Sequence, residues 1–180
     1  MQIQFENFAR AYYDVFALFN QRWALCTAGT PEEFNTMTIG WGSMGTIWGP
    51  AGQGRSILTV YLREQRYTTE ILQRHERFTV SFFPEEYRRD LSLLGTKSGR
   101  DEPDKIALTR LTPRPLGNAV GFAEAELTFV CRKIYRHKMT LDELPDFARD
   151  TFYPTGNLHY LYMGEIEDAF GTAAGGQTGA

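Results

Sequence analysis

Three separated groups of residues have types and spacings that could do chemistry. The first is Arg63…Arg66-Tyr67-Thr68, two guanidinium groups beside an expected helix start. The second is Lys97-Ser98-Gly99-Arg100…Lys105, a polar loop carrying three cations. Cationic side chains and free amides at a helix N-terminus are what a phosphate monoester needs. The third is the run Phe34 to Pro50, with four glycines, two tryptophans, two methionines and no charge. Its glycines permit close backbone approach, and its Trp and Met side chains offer flat, polarisable surface. Asn35, Thr36 and Thr38 add hydrogen-bonding groups along it. Taken together, the three groups point to a phosphorylated planar cofactor. Each also has a plainer use: solvated turn arginines, an ordinary loop, a packed barrel corner.

Other motifs fail on context. Gly40-Trp41-Gly42-Ser43-Met44-Gly45 matches G-x-G-x-x-G, with Glu64 near the position of a ribose-binding acid. A dinucleotide site needs the last glycine to open a helix, but Gly49-Pro50-Ala51-Gly52-Gln53-Gly54 leaves no room for one. Gly95-Thr96-Lys97-Ser98 lacks the glycine spacing of a phosphate-binding loop. His75, His137 and His159 have no metal-ligand spacing, and no Gly-x-Ser-x-Gly elbow supports a serine nucleophile. Cys26 and Cys131, each in an apolar run, read as buried free thiols.

The elements that must position these groups can be read from periodicity. Tyr12, Phe16 and Phe19 suit one face of a short helix within 7–20. Strands are expected at 23–28, 35–41, 56–62, 78–83, 121–135 and 159–169, with Gly164 as a bulge or close-approach point. The stretch from Trp41 to Gly54 reads as Gly-rich loop. Thr68 reads as the N-cap of a helix reaching His75, and Pro84 starts a helix that Gly95 stops. Short helices are expected at 105–111 and 141–147. About six antiparallel strands with short helical insertions make a mainly β (α+β) barrel, as the helices are too few for βαβ alternation. Residues 1–170 form one domain and 171–180 a flexible tail.

Composition narrows the class. A chain of 180 residues can bury a sizeable core in one domain. Net charge −3 gives no electrostatic case for nucleic acid. No apolar run is long enough for a membrane helix, and the first residues lack a signal peptide's pattern, so a cytoplasmic protein is expected.

Asn35-Thr36-Met37-Thr38 followed by Trp41-Gly42 and Trp48-Gly49-Pro50 resembles the first flavin-binding segment of the flavin reductase-like, flavoredoxin-like family. Arg63…Arg66-Tyr67-Thr68, Gly95-Thr96-Lys97-Ser98-Gly99-Arg100-Asp101…Asp104-Lys105 and His159…Tyr162-Met163-Gly164-Glu165-Ile166 follow in the family's order, so the resemblance spans about residues 20 to 170. It implies an FMN-binding split β-barrel working as a homodimer with FMN near the subunit interface. By the same resemblance, Asn35, Thr36, Met37 and Thr38 contact the flavin ring and ribityl chain, and Trp41 and Gly42 lie beside the ring. Arg63, Arg66, Tyr67 and Thr68 serve the phosphate end, while Lys97, Ser98 and Lys105 close the pocket. His137 and Phe170 stand where the family completes the site. Gly40 stands where a serine is frequent. The implied activity is FMN-dependent oxidation of NAD(P)H, with no catalytic side chain required. A non-enzymatic electron carrier serving a redox partner, or a barrel without cofactor, are the alternatives, and no nicotinamide motif separates them.

Overall fold

The computed structural model describes residues 3–4 and 7–171. The tail expected over 171–180 lies, apart from Gly171, outside the described residues.

Strand formation follows the alternation of apolar side chains. In β5 (Arg55–Arg63), Leu58, Val60 and Leu62 are fully buried on one face. In β9 (Leu127–Lys138), Phe129 and Cys131 do the same. They meet β2 (Ala24–Gly29), β3 (Phe34–Ile39), β6 (Arg77–Phe82) and β10 (His159–Gly171) around one core that includes Cys26, Phe78 and Tyr162. Each large apolar side chain buried there contributes about 1.5–3 kcal/mol. Both cysteines are buried free thiols, as expected, and burial pushes the Cys26 thiol up to about 12.

All pairings are antiparallel, in the order β3-β2-β6-β9-β10-β5-β4, where β4 is Gly42–Ile47, and β1 (Ile3–Gln4) adds to β10. The sheet is not closed, since β3 and β4 stand at its two ends. Gly164 is both of the things anticipated: the β9–β10 register shifts between Met163 and Gly164, and a Cβ there would lie 2.6 Å from Cys131 Cβ and the Phe78 ring. On the sheet's exterior, Glu165 pairs with Arg55 and Arg132, and Glu167 with Arg132 and Arg77.

Several expectations are corrected. Gly42–Ile47, expected as loop, is strand β4, paired from Gly42↔Val60 to Ile47↔Arg55. The run 121–135 is two strands, because β8 (Ala119–Phe122) turns before β9 begins. β7 (Pro113–Leu116) pairs with β8 in a separate hairpin. That hairpin covers the polar side of β6, where the Thr79 hydroxyl donates to the Val120 carbonyl at 2.6 Å. Instead of an amphipathic helix over 7–20 there is a 3-10 turn, Phe8–Arg10, and a π-helix, Ala17–Arg22. Phe19 is buried, whereas Tyr12 and Phe16 face outward.

α1 (Tyr67–Arg74) is capped by Arg66, so Thr68 lies inside the helix rather than at its cap. α2 (Arg88–Thr96) runs through Gly95 instead of stopping there. The reason is packing: a Cβ on Gly95 would sit 3.1 Å from Thr38 Cβ, so this glycine lets α2 lie close on β3. The segment 105–111 forms only a 3-10 turn, Lys105–Leu108. The helix near 141–147 is displaced to α3 (Asp146–Phe152), behind a 3-10 turn at Leu141–Glu143 and Pro145.

Candidate functional site

β3 brings the third group, the uncharged run from Phe34, into place by its two-residue period. Asn35 and Met37 line a cavity of about 290 Å³ between β3, the start of α1 and the loop after α2. Thr36 turns the other way, accepting a hydrogen bond from the Thr27 hydroxyl at 2.9 Å in the interior. Asn35 is oriented by donating from Nδ2 to the Thr68 hydroxyl at 2.6 Å. Its Oδ1 would be 2.0 Å from a Cβ on Gly99, so only glycine lets the loop close against it.

The cations of this cavity are not equivalent. Lys97 is ion-paired with Glu102 at 3.1 Å, and Arg100 with Glu70 at 2.6 Å. Arg66 and Lys105 form no ion pair among the described residues. Lys105 is 2% exposed, and its ammonium donates to the carbonyls of Lys97 and Leu94 at the end of α2, at 3.0 and 3.4 Å. Burial, aided by the nearby Arg66 charge, pulls its pKa down to about 8. Arg66 Nε is buried with no hydrogen-bond partner among the described residues. Tyr67 and Ser98 also line this cavity, and the Ser98 hydroxyl accepts from the Arg100 amide at 3.2 Å.

Met37 and Arg66 also belong to the wall of a second hollow of about 160 Å³, which runs past Thr38, Trp41, Arg63 and His159. Arg63 is placed here rather than at the cationic end, and its guanidinium donates to the carbonyls of Asn157 and Phe152 at 3.1 and 3.0 Å. It therefore pins the loop after α3. Thr38 lines this hollow, and its hydroxyl is committed to the Leu91 carbonyl. Trp41 lies 4.7 Å from the His159 ring, centroid to centroid, and meets Phe152 edge-on at 5.8 Å. His159 Nδ1 is 2.7 Å from the Tyr153 hydroxyl. Burial first, then the Arg63 and Arg66 charges, lower its pKa to about 4, so the imidazole is neutral at pH 7.

Beyond Trp41 the trough widens into an apolar arm of about 700 Å³, where Gly42 stands with Phe16, Phe19 and Met44. A Cβ on Gly42 would lie 2.3 Å from the Phe19 ring, so this glycine is what lets the ring form the wall.

Three sequence candidates are not brought to the trough: Thr36, expected along the flavin, is instead buried in the interior against Thr27, and His137 and Phe170 lie elsewhere. His137 is exposed on β9, stacked on Tyr135 at 6.4 Å. Phe170 packs with Leu116, Ala119 and Val130 beside the β7–β8 hairpin. Conversely, His159 and Tyr61 line the trough without having been singled out as site residues. For His159 the signal was its place at the first residue of the last strand, where Arg63 of β5 is its register partner. Among the described residues, no cluster of three His, Cys, Asp or Glu side chains could hold a metal.

The trough thus has a cationic end, a ring-lined middle and an apolar arm on an open antiparallel sheet. No family model and no curated protein matches the chain. Solved structures do. An FMN-binding domain of a flavin reductases-like enzyme from Shewanella baltica superposes with TM-score 0.66 at 17% identity, over 97% of this chain and 81% of that one. Flavoredoxin from Methanosarcina acetivorans matches with TM-score 0.61 at 21% identity, over 90% and 74%. An NADH:FAD oxidoreductase from Streptomyces globisporus matches with TM-score 0.64 at 15% identity, over 91% and 82%. The fold of this chain is that of the flavin reductase-like, FMN-binding split barrels.

Proposed function

We propose that this protein is an FMN-binding oxidoreductase of the flavin reductase-like type, passing electrons from NAD(P)H to a flavin, a metal complex or a protein acceptor. The observation that carries this reading is the pairing of Arg66 and Lys105, two cations without ion-pair partners in one cavity, continuous with a ring-lined hollow. The residues fit a phosphorylated flavin. Among the described residues, Arg66 Nε is a buried donor with no acceptor, and Lys105 beside it donates to two carbonyls. The start of α1 adds the partial positive charge of a helix N-terminus. Asn35 and Met37 would hold the polyol chain and Trp41 the ring. One cationic pair in about 290 Å³ suits a single phosphate, which favours FMN over FAD.

FMN, when bound, supplies the hydride and electron transfer. The chain's own residues bind, orient and exclude water. Arg66 and Lys105 anchor one end, Asn35 is held in one orientation by Thr68, and Arg63 ties the 152–158 segment down beside His159. The neutral His159 keeps its Nδ1 on Tyr153, which fixes the ring that Trp41 packs against.

A visible spectrum of the purified protein, with mass spectrometry of what it releases on denaturation, tests the cofactor. Rapid mixing of the oxidised holoprotein with NADH or NADPH tests the activity. Absence of flavin bleaching on a catalytic timescale would sink the reductase reading and leave the electron-carrier one, which the likeness to a flavoredoxin structure favours. The same reading takes the molecule as a homodimer with FMN near the interface. In its support, β4 is an end strand of the sheet and Trp48, next to it, is 62% exposed. Sedimentation velocity tests it.

A further inference from the structure

The cationic cavity is lined by Arg66, Lys97, Arg100 and Lys105, and two of these already carry a counter-charge. Lys97 is held by Glu102, in its own loop, at 3.1 Å. Arg100 reaches from that loop to Glu70, in the first turn of α1, at 2.6 Å, and its guanidinium lies over the Tyr67 ring, 5.4 Å from the centroid. Glu70 is fixed from the other side by Arg74, at 3.6 Å. Asp101 adds an acid to the same lining. Among the described residues, Arg66 and Lys105 are left with no ion pair.

We propose that Glu70 is the residue that limits this cavity to a ligand with one phosphate group and selects against a diphosphate, by neutralising Arg100. A phosphate monoester carries about −1.5 to −2 near neutral pH, which Arg66 and Lys105 balance. A second phosphate group needs a further cation. Arg100 is the suitable one in the lining, because a guanidinium binds phosphate oxygens in pairs, but Glu70 occupies it. A second phosphate beside Arg100 would also meet the like charges of Glu70 and Asp101. The Arg100 and Glu70 side chains are 54% and 46% exposed, so their pair contributes little to stability, and removing it changes the choice of ligand more than the fold. That the phosphate is a flavin's rests on the reading above; the limit to one phosphate group does not.

Isothermal titration with inorganic orthophosphate and pyrophosphate at pH 7.5 and low salt tests this without any flavin. Glu70→Gln should tighten pyrophosphate binding about three- to fivefold, the scale of one partly exposed charge contact, and orthophosphate binding less than twofold. Adding Arg100→Gln to Glu70→Gln should remove most of that gain. Glu167→Gln makes the same change of charge on the sheet's exterior, where Glu167 pairs with Arg77 and Arg132, and should leave both probes unchanged. Circular dichroism checks that each variant is folded. Fluorescence titration with FMN and FAD gives the second readout: the preference of wild type for FMN should narrow in Glu70→Gln and return with Arg100→Gln. An equal gain for both inorganic probes, a gain that survives Arg100→Gln, the same gain in Glu167→Gln, or no binding of either probe to any variant would overturn the inference. If the inorganic probes behave as expected and neither flavin binds, the flavin reading fails and the role of Glu70 stands. If FMN binds and Glu70→Gln changes neither pyrophosphate nor FAD, the role of Glu70 fails and the flavin reading stands.

Discussion

Arg66 and Lys105 place two positive charges in one cavity with no ion pair on either among the described residues, and this dictates how the site should respond to substitution and pH. Arg66→Ala removes a buried donor, and the FMN dissociation constant should rise at least tenfold, about 1.4 kcal/mol, by fluorescence titration. Lys105, pulled to about 8 by burial and then by the Arg66 charge, loses its own charge within an accessible range. A phosphate monoester is a full dianion well above its second pKa of about 6. Affinity should therefore fall about tenfold from pH 7.5 to 9.5 through the protein alone, and Lys105→Met should flatten that profile. His159 works the other way round. Its folded pKa of about 4 lies below the ordinary 6.5, so between those values the unfolded chain binds more protons. The stability it contributes is complete above pH 6.5 and is lost as pH falls toward 4, by about 3 kcal/mol at most. Urea unfolding across that range should show the slope in wild type and a smaller one in His159→Gln.

At the scale of elements, glycines decide how closely strands and helices approach. Gly164 lets β10 lie over Cys131 and Phe78, and its Cβ would be 2.6 Å from both. Gly164→Ala should destabilise the fold by about 1–3 kcal/mol, the range for overpacking, and leave FMN affinity per folded molecule unchanged. Strands with clean alternation, β5 and β10 above all, were legible in sequence because one face is buried along their length. β4 was not, because Gly42 and Gly45 with an exposed Ser43 and Thr46 give no hydrophobic period, and its strand character comes from pairing with β5. β7 was hidden by Pro113 and Pro115, which a two-stranded hairpin tolerates. The 7–22 segment misled for a different reason. Its aromatics have helical spacing, but Phe16 faces the trough's rim instead of the core.

Across the whole molecule, the cationic cavity and the ring-lined hollow share β3, one end strand of the open sheet, and the hollow is completed by β5, the strand next to the other end, with the segment between β5 and α1 joining the two. The motifs were legible as residues, whereas their roles depended on partners that only the fold supplies. Arg63 and Arg66 look equivalent in sequence, yet one is bound to two loop carbonyls and the other keeps a free buried nitrogen. His137 and Phe170 fall on other faces of β9 and β10, which strand period alone cannot assign without knowing which face is covered. Since the trough joins parts that are distant in the chain, a ligand spanning it should stabilise the entire fold by mass action. At 100 times its dissociation constant such a ligand adds about 2.7 kcal/mol, or about 5–10 °C in a domain of this size. FMN should raise the melting temperature by that amount. Riboflavin has the same ring without the phosphate, and at the same concentration it should raise it by less than half as much, because the Arg66–Lys105 end gains nothing. In Arg66→Ala the difference between the two flavins should narrow. Equal stabilisation of wild type by both would mean that the cationic end does not hold the phosphate, whatever the spectrum shows.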